Sequence, residues 1–91
     1  MVDKYAFLKS LDLEGLPEPV LVEREHGEMG VHHHPFESKA LIIDGSISIV
    51  IDGVKTEYRT GDEFHLMPYQ KHSESYGLTG VKYLVSRKES M

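Results

Sequence analysis

The chain has no cysteine, which excludes disulfides, thiolate metal ligands and a cysteine nucleophile. It has no excess of basic residues either. The formal net charge is −5, so nucleic acid is not expected as a main partner, because phosphate binding needs a basic surface. No apolar stretch is long enough to cross a bilayer. Asp3 and Lys4 come early and no apolar run follows them, so the N-terminus does not read as a signal peptide. The expectation is a cytoplasmic protein without a membrane partner. Internal repeats, low-complexity segments and linkers are lacking. So are a P-loop and a serine nucleophile elbow, and Gly27-Glu28-Met29-Gly30 lacks the helix that a dinucleotide fingerprint requires.

The length of 91 residues points to a single domain spanning 1–91, since a second could not bury its own core. A hydrophobic content of 40% argues for a folded globule rather than disorder. A chain this short hides only a little over ~60% of its unfolded surface, so a homodimer that covers more apolar area is expected.

Between Asp3 and Leu11, Tyr5, Phe7, Leu8 and Leu11 recur near helical spacing, which predicts a short N-terminal helix or turn closed by Gly15, Pro17 and Pro19. Beyond it the pattern is all strand. Val20 to Val22 predicts an early, edge-type strand. Ala40–Ile43, Ser46–Ile51 and Val54–Tyr58 read as strands separated by Asp44-Gly45 and Asp52-Gly53, two tight-turn signals. Gly61-Asp62 makes the next turn, with Asp62 bonding nearby amides, and Glu63–Met67 a strand that Pro68 stops. His72–Tyr76 and Val81–Val85 close the series, separated by Gly77 and Gly80. Seven or eight short strands predict an all-β sandwich or barrel. Its core is expected to include Leu41, Ile43, Ile47, Ile49, Ile51, Leu66 and Leu84.

The chemistry sits on histidines. His32 and His34 are two residues apart, so on an extended segment both point to one face while His33 points away. Two isolated histidines read most simply as tolerated loop residues. His72, arriving from another strand, tips the reading toward a metal site with three imidazole ligands. His65, within a strand, reads as a half-exposed sheet residue, with a role as a pocket acid–base group as the sharper alternative. Glu74 shares the face of His72, either as an acceptor that orients an imidazole or as a solvated charge near the barrel mouth. Tyr58, Phe64, Met67 and Tyr69 read as core, or as pocket walls.

The stretch Gly27–Gly45 resembles the first cupin motif, in which two histidines one residue apart precede an acidic or amide ligand and a closing glycine. Gly61–His72 is similar to the second motif, which opens on Gly-Asp, passes a proline and ends in a third histidine. Here the proline comes one place late, and Tyr69-Gln70 stands where a small residue and glycine are common. The likeness covers roughly Val20–Val85 and is greatest to tiny single-domain cupins that end in Gly-Val-x-Tyr-Leu-Val, as at Gly80–Val85. It implies a cupin-type double-stranded β-helix, or jelly-roll barrel, over about 20–87. It also implies His32, His34 and His72 as metal ligands. The family's fourth ligand would fall at Ser38, which is unsuited to the task. Glu37, beside it, turns to the opposite face if the strand is regular there.

Three imidazoles with open positions suit Zn²⁺, Fe²⁺, Mn²⁺, Ni²⁺ or Cu²⁺ without distinguishing among them. Two function classes lead. One is a metal-dependent enzyme, oxygenase- or isomerase-like, acting on a small oxygen-bearing molecule. The other is a non-catalytic small-molecule binding or sensing module. A third is a structural domain whose histidines carry no function. No residue is assigned a catalytic role from sequence.

Overall fold

The computed structural model describes residues 2–89. Helix α1 (Lys4–Leu13) is capped by Asp3, whose carboxylate accepts from the Ala6 amide, an interaction that typically stabilises a helix by about 1 kcal/mol. Six strands follow: β1 (Val20–Arg24), β2 (Gly27–His32), β3 (Phe36–Ile51), β4 (Val54–Arg59), β5 (Glu63–Leu66) and β6 (His72–Glu89).

All pairings are antiparallel, and β3 and β6 run beside each other along most of their lengths. The first half of β3 pairs with the second half of β6, flanked by β5 and β1. The second half of β3 pairs with the first half of β6, flanked by β4 and β2. Two sheets result, sharing two long strands that bend from one sheet into the other. This is the jelly-roll barrel expected from the sequence, with fewer and longer strands.

The difference has a local cause. Asp44-Gly45 is not a hairpin: β3 runs through it, with register shifts against β6 between Ile42 and Asp44 and between Gly45 and Ile47. Gly80 lies within β6 instead of ending a strand. Gly45 has φ 75° and Gly80 has φ 80°. A Cβ on Gly45 would lie 2.1 Å from the Gly80 carbonyl oxygen, and one on Gly80 2.4 Å from that of Arg24. Three backbones meet at this corner with no room for side chains. Asp52-Gly53, by contrast, is the predicted hairpin. Its residues have φ 50° and 78°, as a turn with two positive φ angles requires.

The corner also reverses side-chain parity. Ala40 and Ile42 face inward ahead of it, and Ile47 and Ile49 after it. The expected core is corrected accordingly. Ile47, Ile49, Ile51 and Leu66 belong to the barrel interior, but Leu41, Ile43 and Leu84 lie on the outer face. There they pack with Phe7, Leu11 and Leu16 of the N-terminal segment, so the helix covers one sheet from outside. Lys39 ties the arrangement down by donating to the Ser10 hydroxyl and the Glu14 carboxylate, and the Ser86 hydroxyl donates to the Pro17 carbonyl.

Gly45→Ala should cost at least about 3 kcal/mol, because it combines backbone strain with a clash against main chain that cannot swing away. Gly53→Ala meets nothing within 4 Å and should cost only about 1–2 kcal/mol for the positive φ. Urea denaturation of both variants decides the matter; equal losses would mean that the corner relaxes.

Candidate metal centre

His32 ends β2 and His72 opens β6, and the two are direct cross-strand partners. Residues so paired project on one face with Cβ atoms about 5 Å apart, and the two rings lie 4.3 Å centroid to centroid. A bulge between Met29 and His32 sets this register. His34, two residues on, brings its ring to 4.9 Å from His32 and 5.7 Å from His72. One nitrogen from each ring lies within 4.8 Å of the others. The three predicted ligands therefore converge, while His33 is exposed, beside Tyr69. His72 is the deepest, 2% exposed. The segment carrying His34 is held by its carbonyl, which accepts from the Tyr69 amide at 2.6 Å.

The hydrogen bonds assign the proton on two of the rings. His32 donates from Nδ1 to the Gly30 carbonyl at 2.7 Å, and His72 from Nδ1 to the Gln70 carbonyl at 2.9 Å. A carbonyl only accepts, so in the neutral rings the lone pair resides on Nε2, facing the cavity. Both Nε2 atoms lie 3.1 Å from the same oxygen, Oε2 of Glu74. A carboxylate oxygen has only lone pairs to offer in return, so a positive charge belongs between these atoms. One proton satisfies one contact only. Protonating both rings would set two positive charges 4.3 Å apart, a repulsion of about 4 kcal/mol at an effective dielectric of 20. A metal ion answers all the lone pairs together, and that is the fit of these residues to a cation.

Glu74 thus lies against the His32 and His72 rings, on the face of His72 as strand parity requires, while the donors that converge within 4.8 Å are the three imidazoles. Its other oxygen, Oε1, accepts from the Tyr76 hydroxyl at 3.1 Å. Burial, and then the charge and hydrogen bond of Glu74, push the Tyr76 phenol up to about 12, so it remains a donor throughout the neutral range. Burial likewise raises the Tyr83 phenol.

The cluster opens into a cavity of about 90 Å³ walled by Phe36, Phe64 and Tyr83, with Arg24 and Arg87 at its rim. The Arg87 guanidinium lies 5.7 Å over the Phe36 ring, which stacks on His34. Ser38 lines the cavity and is 6% exposed, so position 38 does point inward, as the motif alignment requires, with a side chain too short and too neutral for a strong ligand. Glu37 faces outward and bonds His65 at 2.6 Å. His65 is therefore a surface residue, not a pocket acid–base group. Of the other wall candidates, Phe64 lines the cavity and Tyr58 packs against it at 5.7 Å between centroids. Met67 and Tyr69 are neither wall nor core, at 52% and 59% exposed. Asp62 accepts from the Arg59 amide and closes its turn as expected.

Arg24, Arg87 and Tyr76 were not singled out from the sequence. Arg24 shares the parity of Val22, and Tyr76 that of His72, so both were open to a parity argument. Arg87 shares the inward face of Tyr83 and Val85, which becomes evident only once the corner at Gly80 is placed.

No protein-family model and no curated protein matches the chain's sequence. Solved structures do match its fold. A cupin-2 domain protein from Shewanella frigidimarina superposes with a TM-score of 0.64 at 17% identity, over 77% of this chain and 67% of that one. A DUF861 family protein from Thermotoga maritima gives 0.68 at 19% identity, over 93% of this chain and 92% of that one. An oxalate decarboxylase variant from Bacillus subtilis gives 0.68 at 19% identity over 78% of this chain, which spans only 20% of that larger protein. Identities at this level establish the architecture alone.

Burial, and then the neighbouring rings of His32 and His72, hold the His34 imidazole below its usual 6.5. In the unfolded chain the ring takes up its proton near 6.5; in the folded chain it does so only at lower pH. Its contribution to the stability of metal-free protein is therefore complete above about pH 6.5 and is lost as pH falls through the lower folded value. NMR should place the His34 midpoint below 6.5, and His34→Asn should lose less stability than the parent between pH 7.5 and 5.5. A midpoint at or above 6.5 would contradict the assignment.

Proposed function

We propose that this small cupin domain holds one divalent transition metal through His32, His34 and His72 and works as a metal-dependent enzyme, oxygenase- or isomerase-like, on a small oxygen-bearing molecule. The observation that carries the reading is the convergence of three imidazole donors within 4.8 Å, two of them with lone pairs aimed into a walled cavity. When bound, the ion supplies Lewis-acid chemistry, polarising a carbonyl or stabilising an enolate. The chain's own residues do the rest. The Gly30 and Gln70 carbonyls fix the rings of His32 and His72. Phe36, Phe64 and Tyr83 give the cavity apolar walls, and Arg24 and Arg87 draw an anionic group to the rim. A cavity of about 90 Å³ admits a few atoms, which selects a very small molecule or one end of a larger one. The likeness of fold to an oxalate decarboxylase supports a small acid as the class to try first.

One observation favours a second reading, a binding or sensing module without turnover. The Tyr76 phenol that donates to Glu74 is pushed up to about 12, too weak an acid to shuttle protons near neutral pH. Product analysis on metal-loaded protein separates the two readings once a ligand is known.

Calorimetry with Zn²⁺ should give one site per chain, and His72→Ala should weaken it by at least about 100-fold. Unchanged affinity in that variant would end the proposal. Because each imidazole binds only when neutral, occupancy should fall with decreasing pH more steeply than at a one-histidine site. With metal in place, Arg87→Gln should weaken oxalate binding about tenfold, the usual worth of a charge-assisted hydrogen bond; equal affinities would remove the anionic part of the reading.

We also propose a homodimer. β1 is an edge strand on which Val20 and Leu21 are each 52% exposed, and Leu8 of α1 is 46% exposed, apolar surface that a second copy would cover. Among the described residues no helix is long and apolar enough to cross a membrane. Sedimentation at tens of micromolar should give a dimer, since an interface of ordinary size holds at that concentration; a monomer there would refute it.

A further inference from the structure

We infer that Glu74 is itself a ligand of the ion, supplied by β6 in place of the β3 side chain that the first motif would provide at position 38. The inference rests on the metal-site reading above and goes beyond it by naming a fourth donor.

Three observations carry it. First, Oε2 of Glu74 lies 3.1 Å from Nε2 of His32 and 3.1 Å from Nε2 of His72. Donors about 2.1 Å from an ion and at right angles to one another are about 3.0 Å apart, against about 3.4 Å in a tetrahedron. The spacing is that of adjacent ligands in a five- or six-coordinate shell. Second, with both rings neutral Glu74 accepts no N–H from either, because each donates from Nδ1 to a main-chain carbonyl. Third, Oε1 is engaged by the Tyr76 hydroxyl, which leaves one oxygen for the ion and fixes its direction. The side chain is only 11% exposed, which is costly for a carboxylate without a cation beside it.

A carboxylate changes which ions the site suits. Three imidazoles alone favour Zn²⁺, Ni²⁺ and Cu²⁺; an added carboxylate brings the harder Mn²⁺ and Fe²⁺ within reach. It also leaves room in a six-coordinate shell for two further oxygen donors, enough for a chelating substrate.

The test uses the full chain, stripped of metal and titrated with Mn²⁺ and with Zn²⁺ by calorimetry. Glu74→Gln and Glu74→Ala should weaken Mn²⁺ by at least about 100-fold, beyond the loss from a residue that only steadies a ligand, and weaken Zn²⁺ by much less. Glu37→Gln removes the same charge from the outer face and should leave both affinities unchanged. Adding Ser38→Glu to Glu74→Gln should recover Mn²⁺ affinity, since position 38 faces the same cavity. Equal losses for the two metals would overturn the inference by making Glu74 a positioning residue. Unchanged Mn²⁺ affinity alongside a damaged His72→Ala variant would overturn it while leaving the three-histidine site standing. If His72→Ala and the parent behave alike, the metal site itself fails, and this inference with it. Should the Glu74 variants not fold by circular dichroism, a crystal structure of the Mn²⁺-loaded parent decides. Oε2 within about 2.3 Å of the ion supports the assignment, and beyond about 3 Å refutes it.

Discussion

The fold depends on one steric constraint, the meeting of β3 and β6 at Gly45 and Gly80. Any side chain at Gly45 would overlap the Gly80 carbonyl, so the two long strands bend together and at one place. The bend divides a set of six strands into two facing sheets. The extra residues it introduces also reverse parity along both strands. Because of that reversal, His72, Glu74 and Tyr76 ahead of the corner face the same interior as Tyr83, Val85 and Arg87 beyond it. Without the shift, one of these groups would face solvent. The corner therefore builds the barrel and assembles the cavity by the same local geometry.

This also explains what could be read from the sequence. Asp52-Gly53 and Asp44-Gly45 are the same dipeptide between β-branched runs, and nothing local separates a hairpin from a bulge. The distinction lies in what each glycine touches: open space at Gly53, another main chain at Gly45. Misplacing that corner sends Leu41, Ile43 and Leu84 into the core, where the structure puts Ala40 and Ile42 instead. The convergence of the three histidines was legible because it depends only on local parity and one long-range pairing. The outward turn of Glu37 followed from the same parity. The role of Glu74 was not legible, since a residue at that position serves equally as ligand, acceptor or solvated charge. The main-chain carbonyls that accept from both Nδ1 atoms bear on the choice, and they belong to residues with no chemical signature of their own.

The site is held largely by backbone. The Gly30 and Gln70 carbonyls orient two rings, and the Tyr69 amide fixes the segment that carries the third. Tyr69 does this from a positive φ of 61°, a conformation that costs a non-glycine residue about 1–2 kcal/mol. The turn is stabilised by the Gln70 side chain, which accepts from the Met67 amide, and by the Tyr69 amide, which reaches the His34 carbonyl. Strain in the turn is thus tied to the placement of His34, a common pattern at functional sites.

Charge gives the last step. Three neutral imidazoles and one carboxylate around a divalent ion would leave one net positive charge in a cavity of about 90 Å³. Arg24 and Arg87 add two more at its rim, while the chain as a whole carries −5. The acidic residues lie mostly elsewhere, so positive potential would be concentrated at the one opening where an ion and its ligand meet. Arg87 is not a free-swinging charge: it lies over Phe36, which in turn stacks on His34. An anion drawn to that guanidinium would be drawn to the side of the cavity that carries His34. Attraction and orientation of an anion would then rest on one column of stacked side chains, which is the physical ground for proposing a small acid rather than a neutral molecule of equal size.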